Sequence, residues 1–91
     1  MFSSRRDRRK GERRRADDTV WPALEGLPVT GREKEVLRWL ALGKTNREIG
    51  SILGASPRTV QSHLRHIYLK LGVTGRVGAL ARVYGLAARL P

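Results

Sequence analysis

Two amphipathic segments in the second half of the chain are separated by only three residues. The first segment opens with Thr45 and Glu48 at the spacing of a capping box, and Gly54 ends it. The second segment opens with Ser56 as N-cap and Pro57 at the first helical position, where a missing N–H costs nothing. The chain therefore carries start and stop signals for two consecutive helices joined by a tight turn.

Each segment has apolar residues at helical spacing, which predicts helices over about 45–53 and 57–71. These buried stripes are Ile49, Ile52 and Leu53 in the first segment and Val60, Leu64, Ile67 and Leu71 in the second. A preceding helix begins with a capping box at Thr30, and a following helix runs over about 75–89. No stretch alternates with a period of two residues, so we expect no strands. The predicted fold is all-α, a four-helix domain over residues 30–91.

The N-terminal part of the chain has a different composition. Residues 1–18 are rich in Arg and Lys and almost free of apolar residues, which predicts a disordered basic arm. This arm is either a solvated tail or a source of sequence-independent phosphate contacts. Residues 19–29 contain two prolines and one glycine, so we expect a linker. Its larger apolar residues are expected to pack onto the core: Trp21, Leu24 and Leu27.

The charge balance indicates a polyanionic partner. The chain has 19 Lys and Arg against 8 Asp and Glu, a net charge of +11 and a pI near 11.6. Nucleic acid is favoured over a membrane surface, the competing polyanion. The absence of cysteine excludes disulfides, thiolate zinc sites and a cysteine nucleophile. The sequence shows no secretory signal and no apolar run of about 20 residues, so we expect a cytoplasmic protein.

The helix over 57–71 has an outward face suited to reading DNA. With the apolar stripe pointing inward, the outward residues are Arg58, Gln61, Ser62, Arg65 and Leu69. Arg can read guanine and Gln can read adenine by paired hydrogen bonds in the major groove. No acidic residue occurs from Gly50 to the end of the chain. The two helices and their turn thus predict a helix-turn-helix that binds double-stranded DNA.

Two other features admit more than one interpretation. His63 and His66 are three residues apart, but no cysteine or nearby carboxylate completes a site, so we expect no metal and no cofactor. We expect His63 to border the core and face a phosphate, and His66 to be solvated.

The last helix is apolar nearly all round, so it is either a slightly apolar surface helix or a homodimer contact, the interpretation we favour. The expected dimer interface consists of Val77, Ala81, Tyr84 and Ala88.

The residues from Leu27 to about Leu86 resemble the C-terminal DNA-binding domain of LuxR/FixJ-type (GerE-like) bacterial transcription regulators. The resemblance rests on these motifs: Thr30-Gly31-Arg32-Glu33 with Glu35-Val36-Leu37, Gly43-Lys44-Thr45-Asn46 with Glu48-Ile49, Thr59-Val60, His63, Ile67, Lys70-Leu71-Gly72-Val73, Arg76 and Ala79. It implies a four-helix fold whose third helix reads the major groove with Gln61, Ser62 and Arg65. It also implies that the fourth helix dimerises. The expected contacts to the DNA backbone are Lys44, Thr45, Asn46, Arg58, Thr59 and His63.

The chain departs from the family pattern at two outward positions and at its N-terminus. Gln61 stands where Lys is common, so base preference does not transfer from relatives, and Leu69 stands where a polar residue is common. The sensing domain of most members does not fit into residues 1–26. The chain is therefore either a short free-standing regulator, which Met1 favours, or the C-terminal part of a longer one.

Two classes of function follow from these features. The first is a sequence-specific, dimeric transcription regulator. The alternative is an interaction module that docks on RNA polymerase, a sensor domain or another regulator. Enzyme activity is not expected, because no nucleophile motif, phosphate-cradling loop or carboxylate–histidine pair is present.

Overall fold

The computed structural model describes residues 16–88, whose backbone forms five α-helices and no strand. In chain order the helices are α1 (Ala16–Leu24), α2 (Gly31–Ala41), α3 (Asn46–Leu53), α4 (Pro57–Leu71) and α5 (Arg76–Ala87). The predicted all-α fold is confirmed. Helices α2 to α5 correspond to the four predicted helices, and α1 is an additional one.

Local hydrogen bonds fix where α2 and α3 begin. At the start of α2, Thr30 Oγ1 accepts a hydrogen bond from the Glu33 N–H, and the Thr30 N–H donates to Glu33 Oε1 at 2.9 Å. Thr45 and Glu48 repeat the same reciprocal pair at the start of α3. Both capping boxes satisfy backbone N–H groups that the first turn of a helix leaves without partners.

The core forms where the apolar stripes of all five helices meet. Its members are Val20, Leu24, Leu27, Val36, Leu37, Leu40, Ala41, Ile49, Val60, Leu64, Ile67, Leu71, Ala79 and Val83. In the stripe predicted for α3, Ile49 is buried and Leu53 is partly buried, but the prediction is wrong for Ile52, which is 45% exposed. Helix α4 contributes its complete predicted stripe to this cluster. Burial of these side chains is the main force that holds the outward face of α4 in place.

Residues 16–24 form α1, where the sequence predicts the end of a basic arm and the start of a linker. Pro22 and Gly26 suggested a connector, but Pro22 lies inside the helix. The helix persists because Val20 and Leu24 are fully buried, and α1 packs on α2 and α5. Residues 1–15 of the arm predicted over residues 1–18 lie outside the described residues.

The three apolar residues expected to join the core differ in their exposure. Leu24 and Leu27 are buried, as predicted, whereas Trp21 remains 38% exposed. The guanidinium of Arg38 lies 5.4 Å from the ring centroid of Trp21 and 4.5 Å from that of Trp39. Both distances are within the range of cation–π attraction, which links α1 to the surface of α2.

Side chains from neighbouring helices satisfy the carbonyl groups at three helix C-termini. Arg32 donates to the Leu53 carbonyl at the end of α3, at 2.9 Å. Arg82 donates to the Leu71 carbonyl at the end of α4, at 2.7 Å. The Tyr84 hydroxyl donates to the carbonyl of Ala41, the last residue of α2. These bonds pair helix ends that would otherwise lack donors, and the two arginines also complement the negative end of the helix dipole.

A partly buried ion pair connects the first turn of α2 to the last turn of α4. Lys70 Nζ lies 2.7 Å from Glu33 Oε1, and the Glu33 side chain is 8% exposed. Burial raises the pKa of Glu33, but hydrogen bonds from Lys70 and Thr30 outweigh this effect and lower it overall. The pair therefore ties the C-terminal end of α4 to the scaffold.

Candidate nucleic-acid interface

Helix α4 begins at a rigid turn. Gly54 ends α3 with φ +72°, a left-handed conformation that favours glycine, and the Ala55 N–H donates to the Gly50 carbonyl at 2.8 Å. A Cβ at Gly50 would overlap the Ala55 carbonyl oxygen, so α3 passes very close to the turn. Ser56 then caps α4 by accepting a hydrogen bond from the Thr59 N–H at 3.1 Å. The turn thus sets the direction in which α4 leaves α3.

The predicted base-reading residues lie together on the exposed face of α4. Gln61, Ser62 and Arg65 are all exposed, and they lie within about one turn of each other on the helix. Arg58 and Leu69 extend the same exposed face toward its two ends. This face offers amide, hydroxyl and guanidinium donors, the groups that bind base edges and phosphates.

Five of the six residues predicted to contact the DNA backbone lie at two helix N-termini. Lys44, Thr45 and Asn46 surround the start of α3, and Arg58 and Thr59 lie in the first turn of α4. Thr45 Oγ1 and Thr59 Oγ1 are both held by local hydrogen bonds, to the Glu48 N–H and to Ser56 Oγ. Helix N-termini attract anions through their free N–H groups and the positive end of the dipole.

The two histidines differ in burial. His63 is half-buried at the edge of the core, and His66 is exposed. Within residues 16–88, no group of three or more His, Cys, Asp or Glu side chains is placed to hold a metal ion.

A cleft lies beside the exposed face of α4, between the starts of α3 and α5. It has a volume of about 460 Å³ and is lined by Asn46, Gln61, Leu64, Arg65, Tyr68, Thr74 and Arg76. We call it the Asn46 cleft. Its lining contains two arginines and no acidic residue. It therefore brings one predicted backbone contact, Asn46, next to two predicted base readers, Gln61 and Arg65.

Three residues of the Asn46 cleft have no role in the sequence analysis. Arg76 was recognised only as a matching family residue, and Tyr68 and Thr74 were not singled out. Arg76 donates to the Lys44 carbonyl at 2.9 Å, across 32 residues of sequence. Burial raises the pKa of Tyr68, an effect that the nearby Arg76 guanidinium partly opposes. Only the tertiary fold brings these residues to the start of α3, so no local pattern could have identified them.

The predicted dimer residues form an exposed stripe along α5 and its C-cap residue, Ala88. Val77 is 80% exposed, and Ala81 and Ala88 are also exposed. Tyr84 is 42% exposed, although its hydroxyl is used in the bond to Ala41. The opposite side of α5 buries Ala79 and Val83 in the core, where α1 packs on the helix. Part of the apolar surface that suggested a partner for α5 is therefore covered by α1 of the same chain.

No helix among the described residues combines the length and the apolar character required to cross a membrane.

Most of the chain is similar to a known family and to parts of larger bacterial proteins. Residues 27–83 match the GerE family model, described as bacterial regulatory proteins of the luxR family. The chain is 43% identical over 70 residues to the putative HTH-type transcriptional regulator Mb0914c of Mycobacterium bovis, which covers 77% of this chain and 7% of that protein.

Two transcriptional activators are also similar to the chain. It is 48% identical over 56 residues to the transcriptional activator protein AnoR of Acinetobacter nosocomialis, covering 62% of this chain and 24% of that protein. It is 43% identical over 54 residues to the transcriptional activator protein LuxR of Aliivibrio fischeri, covering 59% and 22%. The matched region is therefore a small part of each relative. No solved structure matches the chain significantly.

Proposed function

The chain belongs to the luxR family of bacterial regulatory proteins, and on that premise we propose that it binds double-stranded DNA sequence-specifically and regulates transcription. The observation that carries this proposal is the exposed face of α4, where Gln61, Ser62 and Arg65 lie side by side. The family is one of regulators rather than enzymes. The proposed place of action is the bacterial cytoplasm, where the DNA is.

Helix α4 enters the major groove in this proposal. Arg65 binds the O6 and N7 atoms of a guanine, and Gln61 binds the N6 and N7 atoms of an adenine. Ser62 contacts a base edge or the adjacent phosphate. The absence of acidic side chains from Gly50 onwards leaves nothing on this face to repel the DNA.

Contacts to the DNA backbone orient the helix in the groove. The two N-termini that carry Lys44, Thr45, Asn46, Arg58 and Thr59 supply these contacts, with His63 at the side of α4. Such contacts fix register and orientation without reading sequence. They also make affinity depend on salt, because each neutralised phosphate releases condensed counterions.

We further propose that two copies bind together through the exposed stripe of α5 formed by Val77, Ala81, Tyr84 and Ala88. A two-fold dimer suits a DNA site made of two inverted half-sites. The covering of the opposite side of α5 by α1 limits the dimer contact to this stripe.

Selection from a randomised duplex pool tests the proposal. The purified chain should enrich an inverted repeat whose half-sites are about 10 base pairs apart, or one helical turn. If no motif is enriched and binding simply weakens as salt rises, the chain does not read sequence and the proposal is wrong.

A second candidate function rests on Leu69, which is 75% exposed on the same outward face of α4. An apolar side chain there favours docking on a protein, for which RNA polymerase or a sensor domain is the proposed partner. Purified RNA polymerase is the probe. Binding that is lost in Leu69→Gln, which removes the apolar side chain without adding a negative charge, while the DNA affinity of the variant stays high supports docking, and equal polymerase binding by parent and variant contradicts it.

A further inference from the structure

We propose that the Asn46 cleft binds one phosphate of the DNA backbone, with Arg76, Tyr68 and Thr74 as contact residues in addition to Asn46. The inference rests on the proposed DNA binding and adds a specific phosphate site to it. The cleft opens beside Gln61 and Arg65, so a DNA strand bordering the groove that α4 enters would pass its mouth.

The charge and chemistry of the lining suit a phosphate. Arg65 and Arg76 are the charged residues of the cleft, and both are positive. Tyr68 and Thr74 add hydroxyl donors, and Asn46 lies in the first turn of α3, where the positive end of the helix dipole favours an anion. Because Arg76 already donates one bond to the Lys44 carbonyl, its guanidinium is held at the start of α3 and retains further N–H donors.

The side chain of Asn46 provides an independent indication of a ligand. Its Oδ1 atom is buried and has no hydrogen-bond partner among the described residues. A rotation of the Asn46 side chain that turns its amide toward the cleft presents the NH₂ group there as a donor. A phosphate oxygen in the cleft then accepts that hydrogen bond, which satisfies a polar position that is otherwise costly to bury.

Arg76→Ala and Arg82→Ala are a matched pair for the test. Both arginines lie on α5 and donate to one backbone carbonyl, but only Arg76 lines the cleft. We measure affinity by fluorescence anisotropy over a range of salt, on the selected duplex and on a scrambled one. Arg76→Ala should bind both duplexes roughly tenfold more weakly. For Arg76→Ala, the plot of log K against log salt should become less steep by about 0.9, the value for one phosphate. Arg82→Ala should retain the parent slope.

Asn46→Asp is a second test of the cleft that does not depend on Arg76→Ala remaining folded. The two arginines that line the cleft can compensate the introduced carboxylate, so the variant should stay folded, which its melting curve and helical circular dichroism check. A carboxylate in the cleft repels a phosphate and cannot donate, so DNA affinity should fall at least tenfold. Tyr68→Phe, which removes only the hydroxyl, should give a smaller loss on both duplexes.

The outcomes separate this inference from the proposed function. If the parent prefers the selected duplex but Arg76→Ala and Asn46→Asp keep its affinity and salt slope, only the phosphate site is wrong. If the parent binds both duplexes equally, the chain does not read sequence and the proposed function is wrong. The salt slopes of the parent and of Arg76→Ala then still decide whether the cleft binds a phosphate. If inorganic phosphate at constant ionic strength raises the Tm of the parent but the DNA slopes do not change, the cleft binds a free anion, and the inference is overturned.

Discussion

Replacing Glu33 by Gln separates the two roles of this buried carboxylate, which completes the capping box of α2 and pairs with Lys70. Glu33 Oε1 accepts hydrogen bonds from both the Thr30 N–H at 2.9 Å and Lys70 Nζ at 2.7 Å. Gln retains a carbonyl oxygen that can accept both bonds, and it is compatible with a capping box. The substitution therefore removes the negative charge while leaving the local geometry of α2 in place.

The expected loss of stability follows from the difference between charged and neutral hydrogen bonds. A bond to a charged group contributes about 1.5–3 kcal/mol and a neutral bond about 0.5–1.5 kcal/mol. The Lys70 side chain is 39% exposed, so solvent screening places the difference near the lower limit. We expect Glu33→Gln to cost about 1 kcal/mol, which corresponds to a decrease in Tm of about 4–8 °C for a domain of this size.

Glu48→Gln is the matched control. Glu48 occupies the same position in the second capping box but is exposed and has no lysine within hydrogen-bond distance among the described ion pairs. Thermal and urea unfolding should show a clearly smaller loss for this control. In a double-mutant cycle, Lys70→Met should be more costly in the parent than in Glu33→Gln by about 1 kcal/mol.

The same pair predicts how stability depends on pH. Since hydrogen bonds lower the pKa of Glu33 in the folded chain, its contribution is present above the ordinary pKa of an unfolded glutamate. The contribution is lost as pH falls through the lower folded pKa. The difference in unfolding free energy between the parent and Glu33→Gln should therefore be greatest near neutral pH and should narrow in acid. A difference that is independent of pH, or equal losses for Glu33→Gln and Glu48→Gln, would refute the reasoning.

Three further substitutions test other parts of the account. Leu24→Ala should cost about 2–5 kcal/mol in urea unfolding because the side chain is fully buried, and a loss of only a few tenths would mean that α1 is not part of the folded domain. Gly54→Ala should cost about 1–2 kcal/mol in thermal unfolding, since a Cβ is strained at φ +72°, and an unchanged Tm would contradict that conformation. Val77→Glu should leave the helical circular dichroism unchanged but abolish binding of a second copy to a two-half-site duplex in sedimentation experiments. If two copies of this variant still bind one duplex, the α5 stripe is not the interface.

The helices that carry the site were predictable because their signals are local. A capping box needs only a side chain and a backbone group three residues apart, and the boxes at Thr30 and Thr45 are both present in the structure. The apolar stripe of α4 likewise determines which side chains remain exposed. The outward position of Gln61, Ser62 and Arg65 therefore follows from spacing alone.

Helix α1 shows where local signals fail. Pro22 and Gly26 indicated a connector, although Val20, Ala23, Leu24 and Leu27 have the spacing of a buried helical stripe. Proline removes a backbone N–H and disfavours a helix interior, but burial of this stripe against α2 and α5 outweighs that cost. The apolar stripe indicates a helix over these residues, whereas the proline favours a connector.

The tertiary contacts of the site could not be predicted in this way. Lys70 meets Glu33 across 37 residues, and Arg76 reaches the Lys44 carbonyl across 32. Neither pair has a periodicity or a motif that joins its members in the sequence. The Asn46 cleft exists only because such contacts bring the starts of α3 and α5 together beside α4.

Sequence reading by α4 is tested most directly by the effect of Arg65→Ala on the affinity ratio between the selected duplex and a scrambled one, at fixed salt. Arg58→Ala, which removes an exposed charge in the first turn of the same helix, is the control. We expect Arg65→Ala to lose about 1–3 kcal/mol on the selected duplex and much less on the scrambled one, so that the ratio falls. Arg58→Ala should weaken both and leave the ratio unchanged. An unchanged ratio for Arg65→Ala would contradict the placement of this residue against a base.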